Sequence, residues 1–243
     1  MPIMQKTGIL YGIGVGPGDP ELLTLKAVRI IQSVPIIAYP ATVVGQSQAR
    51  SIIAQWLTGQ QEIAIYLPCQ VDRGPVNHAY DETAITLADE LAKGRDVAVL
   101  CEGDPLFYGS FIYLYQRLAE HFPCQIIPGI SSVSAVAAIA GKPLASGQER
   151  LIIVPASASQ DMLRQALNDH DGVAIIKPGR YRHRIVALLE ETGRIGDAVY
   201  VAYATREEQY IVKQVNELGN EPGPYFALFL ITRSNSYASC DSH

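Results

Sequence analysis

Short apolar runs alternate along this chain with longer stretches in which apolar residues return every third or fourth position. Runs at 8–15, 35–39, 62–67 and 96–101 predict buried strands, and 21–33, 46–57, 77–93 and 110–120 predict helices. Leu22, Leu23, Ala27, Ile30 and Ile31 share one face of the first helical stretch. Ala79, Ala84, Leu87, Ala88 and Leu91 share one face of the third. Alternation of this kind predicts an α/β architecture with largely parallel strands.

The segment His121-Phe122-Pro123-Cys124 reads as a junction, because the pattern restarts after it. Strands are expected at 125–127, 151–154, 173–177, 198–204 and 225–232, and helices at 131–140, 162–168 and 184–191. Only short polar spacers separate 199–203, 210–215 and 225–231, which predicts antiparallel neighbours. Two α/β domains of similar size are therefore expected, residues 1–123 and 124–243. The polar tail 234–243 is expected to fray.

Three strand-to-helix turns carry the candidate chemistry. In the first, Gly12-Ile13-Gly14-Val15-Gly16-Pro17-Gly18-Asp19-Pro20, Asp19 is a good N-cap and Pro20 fits the first helical position. Its glycines permit positive φ and close approach of a ligand to the main chain. The dinucleotide fingerprint fails on spacing: counted from Gly12 the last glycine falls on Pro17, and counted from Gly14 it falls on Asp19. The Gly-Lys-Ser/Thr ending of a phosphate-binding loop does not occur either.

The second turn is Glu102-Gly103-Asp104-Pro105-Leu106-Phe107-Tyr108-Gly109-Ser110. Gly103 and Gly109 allow unusual backbone angles. The Asp104 carboxylate either accepts hydrogen bonds from a ligand or caps its own turn. In the third, Pro128-Gly129-Ile130-Ser131-Ser132, a serine caps the next helix, whose free N–H groups also suit a ligand. The first two turns should share the carboxyl edge of a parallel sheet.

Charge and cysteine content narrow the classes. The net charge of −5 argues against a general binder of nucleic acid or anionic membranes. No apolar run approaches the roughly 20 residues that cross a bilayer, and the N-terminus lacks the order of a secretory signal. Cys69, Cys101, Cys124 and Cys240 show neither a C-x-x-C pair nor zinc spacing. His78, His121, His170, His183 and His243 show no pairing that marks a metal site, so none is expected. The chain reads as soluble and cytoplasmic, with reduced thiols. Lys177, Arg180, Arg182, His183, Arg184 and Arg206 fall at or after strands of the second half. A solvated helix start accounts for any one of them; as a cluster they suit a polycarboxylate.

In this order and at these separations, the three turns resemble those of the tetrapyrrole (corrin/porphyrin) methylases, which use S-adenosyl-L-methionine. The resemblance runs from about residue 8 to residue 232. Within the family, 10–27, 102–114 and Gly141-Lys142-Pro143-Leu144-Ala145 look most like the branch that methylates C20 of precorrin-2. The uroporphyrinogen-III branch usually has an aspartate after the second strand and a Gly-Gly-Asp-Pro turn. This chain has Pro40 and Glu102 at those places.

The resemblance implies two α/β domains with the cofactor in a trough between them, and a homodimer. It implies methyl transfer to the C20 meso carbon of precorrin-2 or its cobalt complex in cobalamin biosynthesis, leaving S-adenosyl-L-homocysteine. Carried over residue by residue, Pro17 sits at the cofactor edge, and Glu102, Gly103, Asp104 and Phe107 hold the methionine part and ribose. Ser131 and Ser132 line the same pocket. Lys177, Pro178, Ala204, Thr205, Tyr225, Phe226 and Ala227 wrap the adenosine. Gly14, Gly16, Tyr108, Arg180 and Arg206 are assigned to the tetrapyrrole, and Glu102 is the candidate base for the C20 proton. Two alternatives stay open: methylation at another ring carbon, as by precorrin-4 C11- or uroporphyrinogen-III methyltransferases, and a non-catalytic tetrapyrrole-binding carrier.

Overall fold

The computed structural model describes residues 6–42, 44–66 and 73–233. Cys69, Cys240, His243 and the tail 234–243 lie outside the described residues. The chain divides into two compact units, Met1–Ser131 and Ser132–His243.

The first unit contains β1 (Leu10–Gly14), α1 (Leu25–Ser33), β2 (Ile36–Ala41), α2 (Gln48–Ile52), β3 (Gln61–Tyr66), α3 (Arg73–Ala92), β4 (Val97–Cys101), α4 (Phe111–Leu118) and β5 (Cys124–Ile127). Its sheet has the order β3-β2-β4-β1-β5, and every pair is parallel. Helices cover both faces, which is why the strands are near-continuous apolar runs. On one face Ile13, Ile37 and Leu100 pack with Ile30 and Ile31 of α1 and Ile52 of α2. On the other, Leu10, Ile36 and Val99 pack with Leu87 and Leu91 of α3 and with Phe111 and Leu114 of α4.

Two expectations are corrected here. The helix expected at 21–33 is broken, because two residues each cap a separate piece. Asp19 accepts from Glu21 N at 2.8 Å and caps a single 3-10 turn, Pro20–Leu22. Thr24 is extended and accepts from Ala27 N at 3.1 Å to start α1. The second correction concerns the junction at 123/124. Strand β5, expected to open the second domain, pairs instead with β1, from Leu10 opposite Cys124 to Ile13 opposite Ile127. The first unit therefore continues to Ser131.

The second unit contains α5 (Ser132–Ala140), β6 (Leu151–Pro155), α6 (Gln160–Asp169), β7 (Gly172–Ile176), α7 (Arg182–Glu191), β8 (Ala198–Ala202), β9 (Tyr210–Val212) and β10 (Ala227–Thr232). Its sheet order is β6-β7-β10-β8-β9, with β6 and β7 parallel and the other pairs antiparallel. The expected antiparallel neighbours are present, with β10 inserted between β7 and β8. Val173, Ile175, Tyr200 and Phe229 form its core with Leu163, Leu167, Leu188 and Leu189. Among the described residues, no helix is long and apolar enough to cross a membrane.

One buried cation organises the turns on the far side of this second core. Arg194 is 7% exposed, and its Nε donates to Asp197 Oδ2 at 2.6 Å. Its Nη1 donates to Leu167 O at 2.6 Å and His170 O at 3.0 Å, and its Nη2 to Asp171 O at 3.0 Å. Truncation would remove the donor to three carbonyls and one carboxylate at once. We expect Arg194→Ala to lower the unfolding free energy by about 3 kcal/mol. A urea midpoint shift at unchanged slope would report it; a loss under about 1 kcal/mol would contradict the role assigned to Arg194.

Candidate functional site

Topology alone brings the three turns of the first unit together. Strands β4, β1 and β5 are adjacent and parallel, so the chain leaves all three at one edge. The turn after β1 bonds to the turn after β4 through Gly16 N to Gly103 O (3.3 Å) and Gly103 N to Gly16 O (2.8 Å). The turn after β5 packs closer still. A Cβ on Gly129 would lie 2.1 Å from Gly103 O and 2.7 Å from Gly14 Cα. A Cβ on Gly14 would lie 2.5 Å from Gly129 N. No side chain fits either place, so glycine is a steric requirement there.

Asp104 ties the assembly. Its Oδ1 accepts from Leu106 N at 2.9 Å, and its Oδ2 accepts from Gly129 N at 3.1 Å. The carboxylate thus caps its own turn and holds the third turn as well. Gly14 and Gly16, assigned to the tetrapyrrole by the resemblance, are buried in this junction and serve its packing. Gly103 takes φ +68, and a Cβ there would meet nothing nearer than Ile130 O at 3.9 Å. Gly103 thus has room beside its Cα, while its N–H and C=O are both bonded to Gly16.

The other residues of this edge differ in burial. Pro17 is buried, Glu102 and Phe107 are half-buried, and Tyr108 is exposed. Gly109 does not use the freedom its lack of a side chain allows, and its φ is not positive. A Cβ on Gly109 would meet the Asp104 and Pro105 carbonyl oxygens at 2.8 Å, so space is its constraint. The left-handed angle falls instead on Tyr108, at φ +53. Ser131, half-buried, ends the first unit, and Ser132, exposed, begins α5. Among the described residues, no group of three or more His, Cys, Asp or Glu could hold a metal.

A second edge forms in the second unit. Strands β7 and β8 both run antiparallel to β10, so their carboxyl ends meet the start of β10. Lys177 N donates to Ala227 O at 3.3 Å, and Tyr203 N donates to Phe226 O at 2.7 Å. These bonds gather Lys177 and Pro178, Ala204 and Thr205, and Tyr225, Phe226 and Ala227. Lys177, Tyr203 and Thr205 have φ of +56, +52 and +66. With Tyr108 they are the only non-glycine residues of positive φ among those described, and all four follow the carboxyl end of a strand. Each costs on the order of 1 kcal/mol or more, a pattern associated with functional edges. Tyr203 escaped sequence reasoning, because nothing about a tyrosine forecasts a left-handed backbone.

The basic cluster divides. Arg182 is buried and donates from Nη2 to Gly219 O at 3.1 Å. Arg184 donates from Nη2 to Ala158 O at 3.0 Å and to Ala156 O. Both are framework residues. Arg180 is exposed, with Nη2 donating to Tyr181 Oη at 2.7 Å, and Arg206 lies over the Phe226 ring. Cys101, at the end of β4, is 1% exposed, and burial pushes its thiol from an ordinary 9.0 up to about 11.

The chain matches the Tetrapyrrole (Corrin/Porphyrin) Methylases over residues 9–218. It is 36% identical over 233 residues to the precorrin-2 C(20)-methyltransferase of Sinorhizobium sp, covering 92% of this chain and 95% of that protein. It is 32% identical over 235 residues to the cobalt-precorrin-2 C(20)-methyltransferase of Salmonella typhimurium, covering 95% and 99%. It is also 35% identical over 237 residues to cobalamin biosynthesis protein CobIJ of Mycobacterium tuberculosis; those cover 94% of this chain but only 46%, about half, of that relative's length. Among solved structures, cobalt precorrin-4 methyltransferase CbiF superposes with a TM-score of 0.71 at 23% identity, covering 92% of this chain and 94% of that one. Uroporphyrin-III C-methyl transferase from Thermus thermophilus, complexed with S-adenyl homocysteine, gives a TM-score of 0.66 at 22% identity, covering 93% and 98%. These two likenesses establish the fold.

Two outcomes follow from the geometry. Gly129→Ala should cost about 3 kcal/mol of stability. Gly196→Ala, whose added Cβ meets nothing within 4 Å, should cost under about 0.5 kcal/mol. Equal unfolding midpoints for the two variants would refute the steric junction. The second concerns Cys101. Between pH 9 and about 11 the native thiol keeps a proton that the unfolded chain releases, so its contribution to stability is present below pH 9 and lost as pH rises through 11. At neutral pH, iodoacetamide should leave Cys101 of the native protein unalkylated in peptide mapping; alkylation at the rate of an exposed thiol would contradict this.

Proposed function

Because the chain belongs to the tetrapyrrole (corrin/porphyrin) methylase family, we propose that it transfers a methyl group from S-adenosyl-L-methionine to the C20 meso carbon of precorrin-2, or of its cobalt complex, in cobalamin biosynthesis. The observation that carries this reading is the likeness to two C(20)-methyltransferases along nearly their whole length. The glycine junction supports it, since it holds the turns that carry Pro17, Asp104 and Ser131 at one strand edge. A homodimer in the cytoplasm is part of the same proposal. The net charge of −5 supports the exclusion of nucleic acid and anionic membranes as partners.

When bound, S-adenosyl-L-methionine supplies a methyl group already electrophilic on its sulfonium and departs as S-adenosyl-L-homocysteine. The main chain of Glu102 and Gly103, with Asp104 and Phe107, holds the methionine part and ribose, and Pro17, Ser131 and Ser132 lie beside them. Lys177, Pro178, Ala204, Thr205 and the segment Tyr225, Phe226, Ala227 take the adenosine through their backbone. Tyr108, Arg180 and Arg206 meet the tetrapyrrole. Gly14 and Gly16 act through the junction that fixes the turns. Holding donor sulfur, methyl and acceptor carbon in line can contribute roughly 7–11 kcal/mol. Glu102, directly after β4, accepts the proton that leaves C20 once the new carbon–carbon bond forms.

The test is turnover of both tetrapyrroles. Purified protein incubated with cofactor and precorrin-2, or its cobalt complex, should yield product with the methyl on C20 by NMR. Asp104→Ala should weaken S-adenosyl-L-homocysteine binding about tenfold by calorimetry. A methyl on another carbon would reject C20. Cofactor-independent binding of either tetrapyrrole without turnover would favour the carrier.

A further inference from the structure

We infer that Arg182, Tyr200 and Gly223 form a buried latch behind the strand-end edge of the second unit, and that as positioning residues they set cofactor affinity without touching the cofactor. The inference rests on the methylation reading, which puts the adenosine at that edge. Each of the three strands that build the edge has a member of the latch beside it. Arg182 opens α7 after β7, Tyr200 lies within β8, and Gly223 precedes β10. Arg182 is 9% exposed and Tyr200 is fully buried, so neither side chain is open to a ligand.

The two side chains meet at Gly223. A Cβ there would lie 2.7 Å from Tyr200 Oη and 3.0 Å from Arg182 Cδ. Arg182 Nη2 also donates to Gly219 O at 3.1 Å, in the same segment. Burial first and Tyr210 second push the Tyr200 hydroxyl up from its ordinary value, and Arg182 acts against them. Residues 218–226 carry no helix or strand, so no ladder of their own places them. The latch does so, and its grip is passed outward. Gly223 N donates to Gly179 O at 3.0 Å. A Cβ on Gly179 would have Gly223 O and Tyr225 Cα each at 4.0 Å, so the two segments run side by side. The bonds from Lys177 N to Ala227 O and from Tyr203 N to Phe226 O then close the edge. Arg194 offers the contrast. It is buried as well, but it bonds to Asp171 and Asp197, directly before β7 and β8, at the opposite ends of these strands.

The probes are S-adenosyl-L-homocysteine in calorimetry and amide hydrogen exchange of the free protein. Gly223→Ala should weaken binding about tenfold. It should also speed exchange of the Lys177 and Tyr203 amides about tenfold relative to amides within β8. Adding Tyr200→Phe removes the atom that the new methyl strikes, and should restore most of both losses; alone, Tyr200→Phe should change binding by no more than about threefold. Arg182→Met, which fills similar space without the donor to Gly219, should weaken binding about tenfold. Arg194→Ala should lower the urea midpoint yet leave affinity within about twofold. If Gly223→Ala binds as wild type does, or Tyr200→Phe restores nothing, the latch does not position the edge. If Arg194→Ala weakens binding as much as Arg182→Met, affinity follows stability and the proposal is wrong. Wild type that binds no S-adenosyl-L-homocysteine would overturn the methylation reading by itself, and the exchange comparison would still decide whether the latch orders this edge.

Discussion

Everything at the first candidate edge depends on three peptide backbones meeting without side chains between them. Gly14, Gly103 and Gly129 come from turns after three neighbouring strands, and a methyl group on Gly14 or Gly129 would collide with the backbones beside it. Such contact is possible only because the strands are parallel and adjacent, which delivers all three turns to one edge. Asp104 then supplies the bond that packing alone lacks, by accepting from the Gly129 amide. Order at the site is thus a product of sheet topology first, glycine second and one carboxylate third.

The two units solve the same problem differently. In the first, turns are brought into contact by removing side chains, and the conformational burden falls on glycine at Gly16 and Gly103. In the second, ordinary residues are forced into left-handed angles at Lys177, Tyr203 and Thr205. The first device lets backbones touch; the second sets ordinary side chains at strand ends.

Much of this was legible in the sequence. Apolar runs bounded by glycine and proline located the strands, and the Asp19-Pro20 pair marked the start of helical structure at the first turn. Thr24 was overshadowed by that stronger signal, although it caps α1. The boundary near Pro123 was misplaced because the four-residue β5 owes its existence to pairing with β1, a partner more than a hundred positions away. Local pattern carries no record of such a partner. Gly109 was read as a flexible position when carbonyl crowding is the constraint. Arg182 and Arg184 belong to a cluster that suits a polycarboxylate, but carbonyl acceptors, which only the fold supplies, and for Arg182 burial as well, make them braces.

Strand β5 has one further consequence. It is short, lies at the margin of its sheet, and is held by β1 alone. The third turn of the junction therefore hangs from the least anchored strand of the first unit. Partial fraying of that margin would swing the Gly129 amide off Asp104 while the central strands stay intact. Amide exchange would register this as faster labelling at Cys124–Ile127 than in β1 or β4. The order of the third turn thus depends on how firmly one short marginal strand stays paired.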